Sequence, residues 1–564
     1  MKRKLISLLV SACMLIALTP ATAMAASSRY TDIPAGNWSE SVVNAAGDYG
    51  LMQGVGNGIF GFGNTITKAE FITVLDRMFG WELVNPDTSS FSDVSKNQWY
   101  YPYIETALKH NVIDITGNFN PGASITRDEM AVMLVRGLGY SKLAESAAAF
   151  GNPFTDVTDN VGYITIASDI GMTKGTTATT FAPKMTAKRE EAAAMLVRVY
   201  EKYTSKTDWV HGFYALSSYS QKELTKNLDA VSVGWSRMSY NIDKGVYLNT
   251  TTADGNEWNI PTSYQDITSY FQGNSTKTHL SVYMDTSTTV TTANGNTSIC
   301  SAILLDSQRR TQAVKAIVNE LTVKYNAIGY NPYSGVTIDF EGMKGSDLKA
   351  GFNSFLTELS AALKPLGKTL YVTVQPATSD GIYYDAYDFR TIGRLADKVI
   401  LMAHDYNDKT MPQNLLGSTY YKNTPVTPFA SVYYALKVIT DENTGVEDTS
   451  KIALAISFSS VGWEIQKDKL VNTKSVSPTT STIYTRLKGG AVMGYSETYR
   501  NPYITYTTEE GKNYFVWYED ERSISDKIQL AKLFGIKGVS LWRLGIIPAY
   551  TDGGLYYNAM ESIK

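Results

Sequence analysis

Gly335-Val336-Thr337-Ile338-Asp339-Phe340-Glu341 reads as one β-strand that ends in two acids. Alternate side chains of a strand point the same way. Thr337, Asp339 and Glu341 therefore share one face, and Val336, Ile338 and Phe340 share the other. The apolar face suits packing against helices. On the polar face, Asp339 and Glu341 stand about 7 Å apart. Two carboxylates aimed inward cost free energy unless they are paired or used. One of them should carry a raised pKa, the property a general acid needs. A structural pair bonded to arginine or backbone is the competing explanation.

Seven more apolar or β-branched runs surround this strand in the sequence. They are Trp209 to Leu216, Ala230 to Trp235, Leu280 to Met284, Leu370 to Gln375, Lys398 to Ala403, Ile452 to Phe458 and Gly538 to Trp542. Helix-like stretches lie between them, such as Gln312 to Tyr325 and Leu348 to Leu363. Eight βα units in the 356 residues 209–564 predict an α/β fold, a (β/α)8 TIM barrel. A doubly wound sheet is the alternative, but no glycine-rich phosphate loop follows any strand. Barrel chemistry sits at the C-terminal strand ends. There the chain places Gln375, then Met402-Ala403-His404-Asp405-Tyr406, Trp463 and Trp542. Aromatic faces and amides gathered beside two acids suit sugar rings, which stack through C–H surfaces and bind through hydroxyls. A segment from about Gly489 to Tyr518 is inserted before the last strand.

The first third of the chain repeats. Tyr30-Thr31-Asp32-Ile33 recurs as Phe91-Ser92-Asp93-Val94 and Phe154-Thr155-Asp156-Val157, at offsets of 61 and 63 residues. Trp38 and Trp99 follow the Asp by six positions; the third copy has Gly162-Tyr163 instead. Each copy predicts two helices. The second opens Thr67-Lys68-Ala69-Glu70, Thr126-Arg127-Asp128-Glu129 or Lys188-Arg189-Glu190-Glu191. Thr67 with Glu70, and Thr126 with Glu129, fit a capping box. Capping leaves the first-turn cation unexplained, since a helix N-terminus repels it. Lys68, Arg127 and Arg189 recur there nonetheless, and a cation beside open helix N–H groups makes an anion-binding corner.

Composition narrows the classes. The 564 residues are 43% hydrophobic and 19% charged, a globular balance. A net charge of −3 and a pI near 6.0 speak against a basic nucleic-acid surface. The four histidines, His110, His211, His279 and His404, show no metal-ligand spacing, so neither a metal site nor a cofactor is expected. Lys2-Arg3-Lys4, the apolar run Leu5 to Leu18 and Ala23-Met24-Ala25 predict an export leader over 1–25, cleaved after Ala25. No later run reaches the roughly 18 apolar residues of a membrane span. Val10-Ser11-Ala12-Cys13 superficially resembles an acylation site, but the apolar run continues past it to the peptidase site. Without Cys13 the mature chain holds only Cys300 and no intramolecular disulfide.

The three copies of F-x-D near a Trp, followed by I-T-R-x-E, resemble S-layer homology domains. The likeness divides the chain into 28–86, 87–148 and 149–203, with a linker at 204–208 before the barrel. It implies an all-α, pseudo-three-fold unit that holds an exported protein on a Gram-positive cell wall. The implied partner is an acidic secondary wall polymer, met by Lys68, Arg127 and Arg189. The third copy departs most, with Lys188 for Thr and no Trp.

The barrel strand ends resemble glycoside hydrolase family 18. In the family's D-x-x-D-x-D-x-E, Asp339 and Glu341 match the last two acids, while Ser334 and Thr337 stand where the first two Asp would be. Met402-Ala403-His404-Asp405 resembles M-x-Y-D, with His404 for Tyr, and Trp542 matches the Trp that ends the last strand. Within the family the likeness is to cell-wall and spore-cortex N-acetylglucosaminidases and chitinases. It implies a secreted, wall-anchored, monomeric hydrolase of β-1,4-linked N-acetylglucosamine glycan, peptidoglycan or chitin. The implied mechanism is substrate-assisted and retaining. Glu341 serves as acid and then base, and Asp339 orients the substrate acetamide. Asp405, Tyr406, His404 and Gln375 hold the sugar, with Trp542 beneath it and Trp463 as a further aromatic contact. A catalytically silent carbohydrate-binding protein on the same barrel is the alternative; retention of both acids favours the enzyme.

Overall fold

A computed structural model describes residues 29–115, 117–379, 384–407, 409–551 and 557–563. The expected leader at 1–25, with Cys13, lies outside the described residues. The chain forms two compact units. One takes the chain up to Ala107 with Ile115–Ile125 and Thr186–Val197; the other takes Leu108–Asp114, Thr126–Met185 and Arg198 onward.

In the first unit the motif aspartates clasp loops. Asp32 accepts the backbone N–H groups of Phe60, Gly61 and Phe62, each at 2.8 Å. Asp93 accepts those of Phe119 and Asn120 at 2.8 and 2.7 Å. Within the second unit Asp156 does the same for Phe181 and Ala182 at 2.8 and 2.7 Å. The capping box forms: Thr67 N–H donates to Glu70 at 2.9 Å and the Glu70 N–H returns to Thr67 Oγ1 at 3.2 Å. Thr126 N–H likewise donates to Glu129 at 2.9 Å.

The second unit is built on a closed barrel of eight parallel strands. They are β1 (Trp209–Tyr214), β2 (Ala230–Asn241), β3 (Lys277–Asp285), β4 (Gly335–Glu341), β5 (Thr369–Val374), β6 (Lys398–Leu401), β7 (Ile452–Ser457) and β8 (Gly538–Trp542). β1 pairs in parallel with both β8 and β2, which closes the ring. All eight expected strands form. β2 runs on past Trp235 and turns back as the antiparallel strand Gly245–Asn249. Helix Ser346–Leu363 buries Phe352 and Phe355 against Phe340, the outward side of β4, with ring centroids 5.9 and 5.2 Å away. The helix expected over 312–325 instead spans Ser307–Glu320, because Asp306 caps it by accepting from the Arg309 N–H at 2.9 Å. Cys300 is buried and, among the described residues, forms no disulfide.

Two additions build on the barrel. The insertion before β8 begins earlier than its composition suggests. Val461–Gln466 is already a strand of a five-stranded antiparallel sheet that also takes in Lys469–Leu470, Val492–Ser496, Asn501–Thr507 and Asn513–Trp517. Its core holds Tyr421, Trp463, Phe515 and Trp517. On another side, helix Val161–Asp169 meets the barrel helix Phe429–Ile439. Asp169 accepts from the Tyr433 hydroxyl and from Lys437 at 2.7 Å. Phe150 stacks on Tyr433, and Tyr140 packs on Phe429.

Candidate active site at the barrel mouth

The register of the barrel brings the acids together. β3 and β4 run side by side with Tyr283 opposite Asp339 and Asp285 opposite Glu341. Asp339 is 1% exposed. Its Oδ1 accepts the Thr373 hydroxyl of β5 at 2.7 Å. Burial pushes its carboxyl up to about 6, against the opposing pull of Thr373 and His404. Glu341 reaches the open end. Burial, with Asp339, Asp285 and Asp405 nearby, pushes it up to about 8. Among the described residues its carboxyl has no hydrogen-bond partner. One acid thus stands open with the more strongly raised pKa and the other is buried and hydrogen-bonded, a difference of the kind that acid–base pairs use.

Glu341 opens on a cleft of about 400 Å³ lined by Gln375, Tyr384, Met402, His404, Asp405, Tyr406 and Trp542, among others. Asp405 sits at φ 55°, a left-handed conformation. His404 Nδ1 lies 2.9 Å from Asp405 Oδ2. Burial alone would raise the Asp405 pKa, but the His404 bond and charge, with Lys409, hold it below the ordinary value. Gln375 Oε1 accepts the Gly342 N–H at 2.6 Å, which turns its amide NH2 toward the opening. The Tyr406 hydroxyl donates to the Ser431 carbonyl at 3.2 Å, so Tyr406 offers its ring rather than its O–H. Trp542 stands edge-on to Phe213, centroids 5.1 Å apart.

Beneath the mouth the barrel interior is polar but neutral. His211 lies 2.8 Å from Ser540 Oγ and 2.7 Å from Ser232 Oγ, and Ser232 lies 2.6 Å from Thr337 Oγ1. His279 lies 2.9 Å from Thr369 Oγ1. Burial drives both imidazoles down, His279 to about 3. Two histidines that look scattered in the sequence are thus neighbours in one uncharged network.

Three expected site residues are corrected. Trp463 is fully buried, and its indole N–H donates to Thr424 Oγ1 at 3.0 Å. It belongs to the insertion core, because the chain enters a new sheet at Val461. Arg127 and Arg189 are only 6% and 5% exposed. Arg189 donates through Nε to the Phe60 carbonyl at 2.9 Å and through Nη2 to the Gln53 carbonyl at 3.0 Å, and it pairs with Glu70. Arg127 donates to the Phe181 carbonyl at 2.9 Å and to Thr173 at 2.8 Å. Each guanidinium also lies over the phenylalanine ring it serves. These first-turn cations knit loops together rather than stand open to an anion. Lys68 is half-buried. Trp38 and Trp99, by contrast, are 58% and 57% exposed.

Sequence reading missed Thr373, Asp285 and Tyr387, whose hydroxyl donates to the Phe340 carbonyl at 2.6 Å. The alternation rule applied to β3 and β5 would have found the first two. Tyr387 lies outside any strand and left no such signal. Among the described residues no cluster of His, Cys, Asp and Glu could hold a metal ion, and no helix is long and apolar enough to cross a membrane.

The family model described as glycosyl hydrolases family 18 matches residues 210–546. The S-layer homology domain model matches residues 29–72 and 90–131, leaving the third and most divergent copy outside both matches. The chain is 25% identical over 237 residues to the cortical fragment-lytic enzyme of Bacillus subtilis, covering 41% of this chain and 50% of that one. It is 31% identical over 205 residues to the S-layer protein sap of Bacillus anthracis, covering 36% of this chain and 24% of that one. The chain spans half or less of the length of these curated relatives. Among solved structures, a chitinase from Chromobacterium violaceum aligns at 20% identity with a TM-score of 0.47, covering 63% of this chain and 97% of that one.

Proposed function

The chain belongs to glycosyl hydrolase family 18, and from that premise we propose that it cleaves a β-1,4-linked N-acetylglucosamine glycan of the bacterial wall while anchored there. The observation that carries the reading is Glu341, a carboxyl kept protonated near neutrality, open to the cleft, with ionisable Asp339 fixed below it. Glu341 gives its proton to the glycosidic oxygen as the C1–O bond breaks. The carbonyl oxygen of the substrate's own 2-acetamido group closes on C1 from the other face and forms an oxazolinium ion. Ionised Asp339 accepts the acetamide N–H and balances the positive charge. Glu341, now a carboxylate, takes a proton from water as that water opens the ring at C1, which restores the acetamide and retains the configuration. An intramolecular nucleophile has high effective molarity, so none is required of the protein. Asp405, His404 and the Gln375 amide hold the sugar, with the Trp542 ring beneath it.

The repeats supply the anchor in this reading. With Arg127 and Arg189 committed internally, exposed Trp38 and Trp99 and half-buried Lys68 are the groups through which the first two copies meet an acidic wall polymer. The relatives named for cortical fragments and for the S-layer point to the same setting.

The test compares the full chain with Glu341→Gln on de-peptidated peptidoglycan and on chitin oligosaccharides, with products read by mass spectrometry. The expected result is new N-acetylglucosamine reducing ends, lost by about 100-fold or more in the variant. Binding without cleavage by the unaltered chain would refute the enzyme and leave a lectin on the same barrel.

A further inference from the structure

A second cavity of about 320 Å³ shares Trp542 with the cleft. Phe213, Tyr214, Trp258, Trp542 and Arg543 line it, together with Ser217 and Glu257. Four of these lining residues are aromatic. Trp258 stacks on Tyr283 at 5.1 Å with planes 10° apart. It can lie there because β2 carries Gly234, where a Cβ would come within 2.8 Å of the Trp258 ring. The cavity is built around one cation. Arg543 Nη1 donates to Ser217 Oγ at 2.8 Å and to the Leu544 carbonyl at 3.3 Å. Among the described residues, its Nε and Nη2 meet no acceptor and no carboxylate lies within ion-pair distance. Glu257 shares the cavity without pairing with it.

A guanidinium half-removed from water and given no counter-charge is unfavourable unless something else completes it. Burial alone acts on it, holding its pKa below the ordinary arginine value. The planar fork suits one occupant chemistry above others, a carboxylate that can be gripped by two N–H groups. A chain of N-acetylglucosamine alone has no such group. A glycan that alternates N-acetylglucosamine with muramic acid presents a lactyl carboxylate on every second ring.

We infer that Arg543 is a specificity-determining residue that binds the carboxylate of a muramic-acid ring in the cavity beside Trp542, making an anionic wall glycan the preferred substrate over chitin. The inference rests on the hydrolase reading above and names its substrate class. The Ser217 bond positions the fork, and the Trp258 and Trp542 rings flank the sugar that carries the charge.

The test uses the full chain on three soluble glycans of matched length. They are de-peptidated peptidoglycan strands, the same strands with the muramic carboxyl chemically reduced to an alcohol, and chitin oligosaccharides. The expected result is a kcat/KM about 10- to 100-fold higher on the carboxylated strands than on the reduced ones, the size of one charge-assisted hydrogen bond. In Arg543→Gln that ratio falls toward one, and in Arg543→Lys it is partly restored. Because the comparison also runs with the unaltered protein and an altered substrate, a misfolded variant does not remove the test. Equal rates on carboxylated and reduced strands would overturn the role of Arg543 and leave the hydrolase reading standing. Failure to cleave any of the three would overturn both.

Discussion

Thr373→Val should move the acid limb of the pH–rate profile upward. In the proposed mechanism Asp339 works as an anion, and the Thr373 hydroxyl 2.7 Å away stabilises that anion. A hydrogen bond to a charged group contributes about 1.5–3 kcal/mol. At about 1.36 kcal/mol per pH unit, losing it raises the Asp339 pKa by about 1–2 units. The same hydroxyl lies 3.2 Å from the Ile338 carbonyl, so it has a second acceptor when Asp339 is protonated. That alternative brings the expected shift to the lower end, about one unit. The unaltered acid limb should fall near the Asp339 value of about 6 and the alkaline limb near the Glu341 value of about 8. Both limbs belong to the coupled pair rather than to either acid alone. The assay is kcat/KM on a soluble glycan across the range between about pH 4 and 9, with Thr373→Ser as the conservative control. The expected result is an acid limb raised in Val and unmoved in Ser, with the alkaline limb nearly fixed. An acid limb that stays in place in the Val variant, at normal plateau activity, would refute the role given to Thr373.

Asp76→Val should stabilise the first unit. Asp76 is 2% exposed, both carboxyl oxygens lack a hydrogen-bond partner among the described residues, and burial pushes it up to about 8. Its equivalents eight residues after Arg127 and Arg189 are Val135 and Val197, both buried. A folded pKa raised above the unfolded one destabilises increasingly as pH rises from about 4 through 8. The gain of about 1–3 kcal/mol should therefore appear in thermal melts at pH 8 and vanish near pH 4. Asp169→Ala leaves Lys437 without its partner at the contact between the third repeat and the barrel. It should lower stability by about 1–3 kcal/mol in denaturant titrations of the full chain; an unchanged midpoint would mean the contact is dispensable.

The barrel was readable because strand alternation is a local signal and eight runs repeated it. The same rule put Asp339 and Glu341 on the inner face of β4 correctly. It failed where the decisive partner was distant in sequence. Trp463 carries no mark that tells a strand-end platform from the first core residue of a new sheet. That distinction depends on pairing between Val461–Gln466 and Asn513–Trp517, some 50 residues apart. Arg127 and Arg189 were misread for a related reason. A first-turn cation conflicts with its own helix dipole, which is a true local statement. The compensation comes from carbonyls at Phe181 and Phe60, which no local rule reaches.

The departures from the family motif become intelligible once the interior is known. Where the motif has an acid, Thr337 lies 2.6 Å from Ser232, within a lattice of hydroxyls and two neutral imidazoles. An aspartate at that position would bring a second charge under Asp339, among groups whose imidazoles burial keeps uncharged. With Thr337 there instead, burial is the leading cause of the raised Asp339 pKa. Its ionised form then depends on two neighbours that the motif does not name, Thr373 from the side and His404 through its charge. The position of the missing acid is thus neutral, and Asp339 takes its side-chain hydrogen bond from Thr373 instead. Glu341 feels Asp339, Asp285 and Asp405 together, and this favours the protonated form of Glu341 at the cleft. The proposed cleavage needs one proton donor and one anion, the roles it gives to Glu341 and Asp339, and no acid at position 334 or 337.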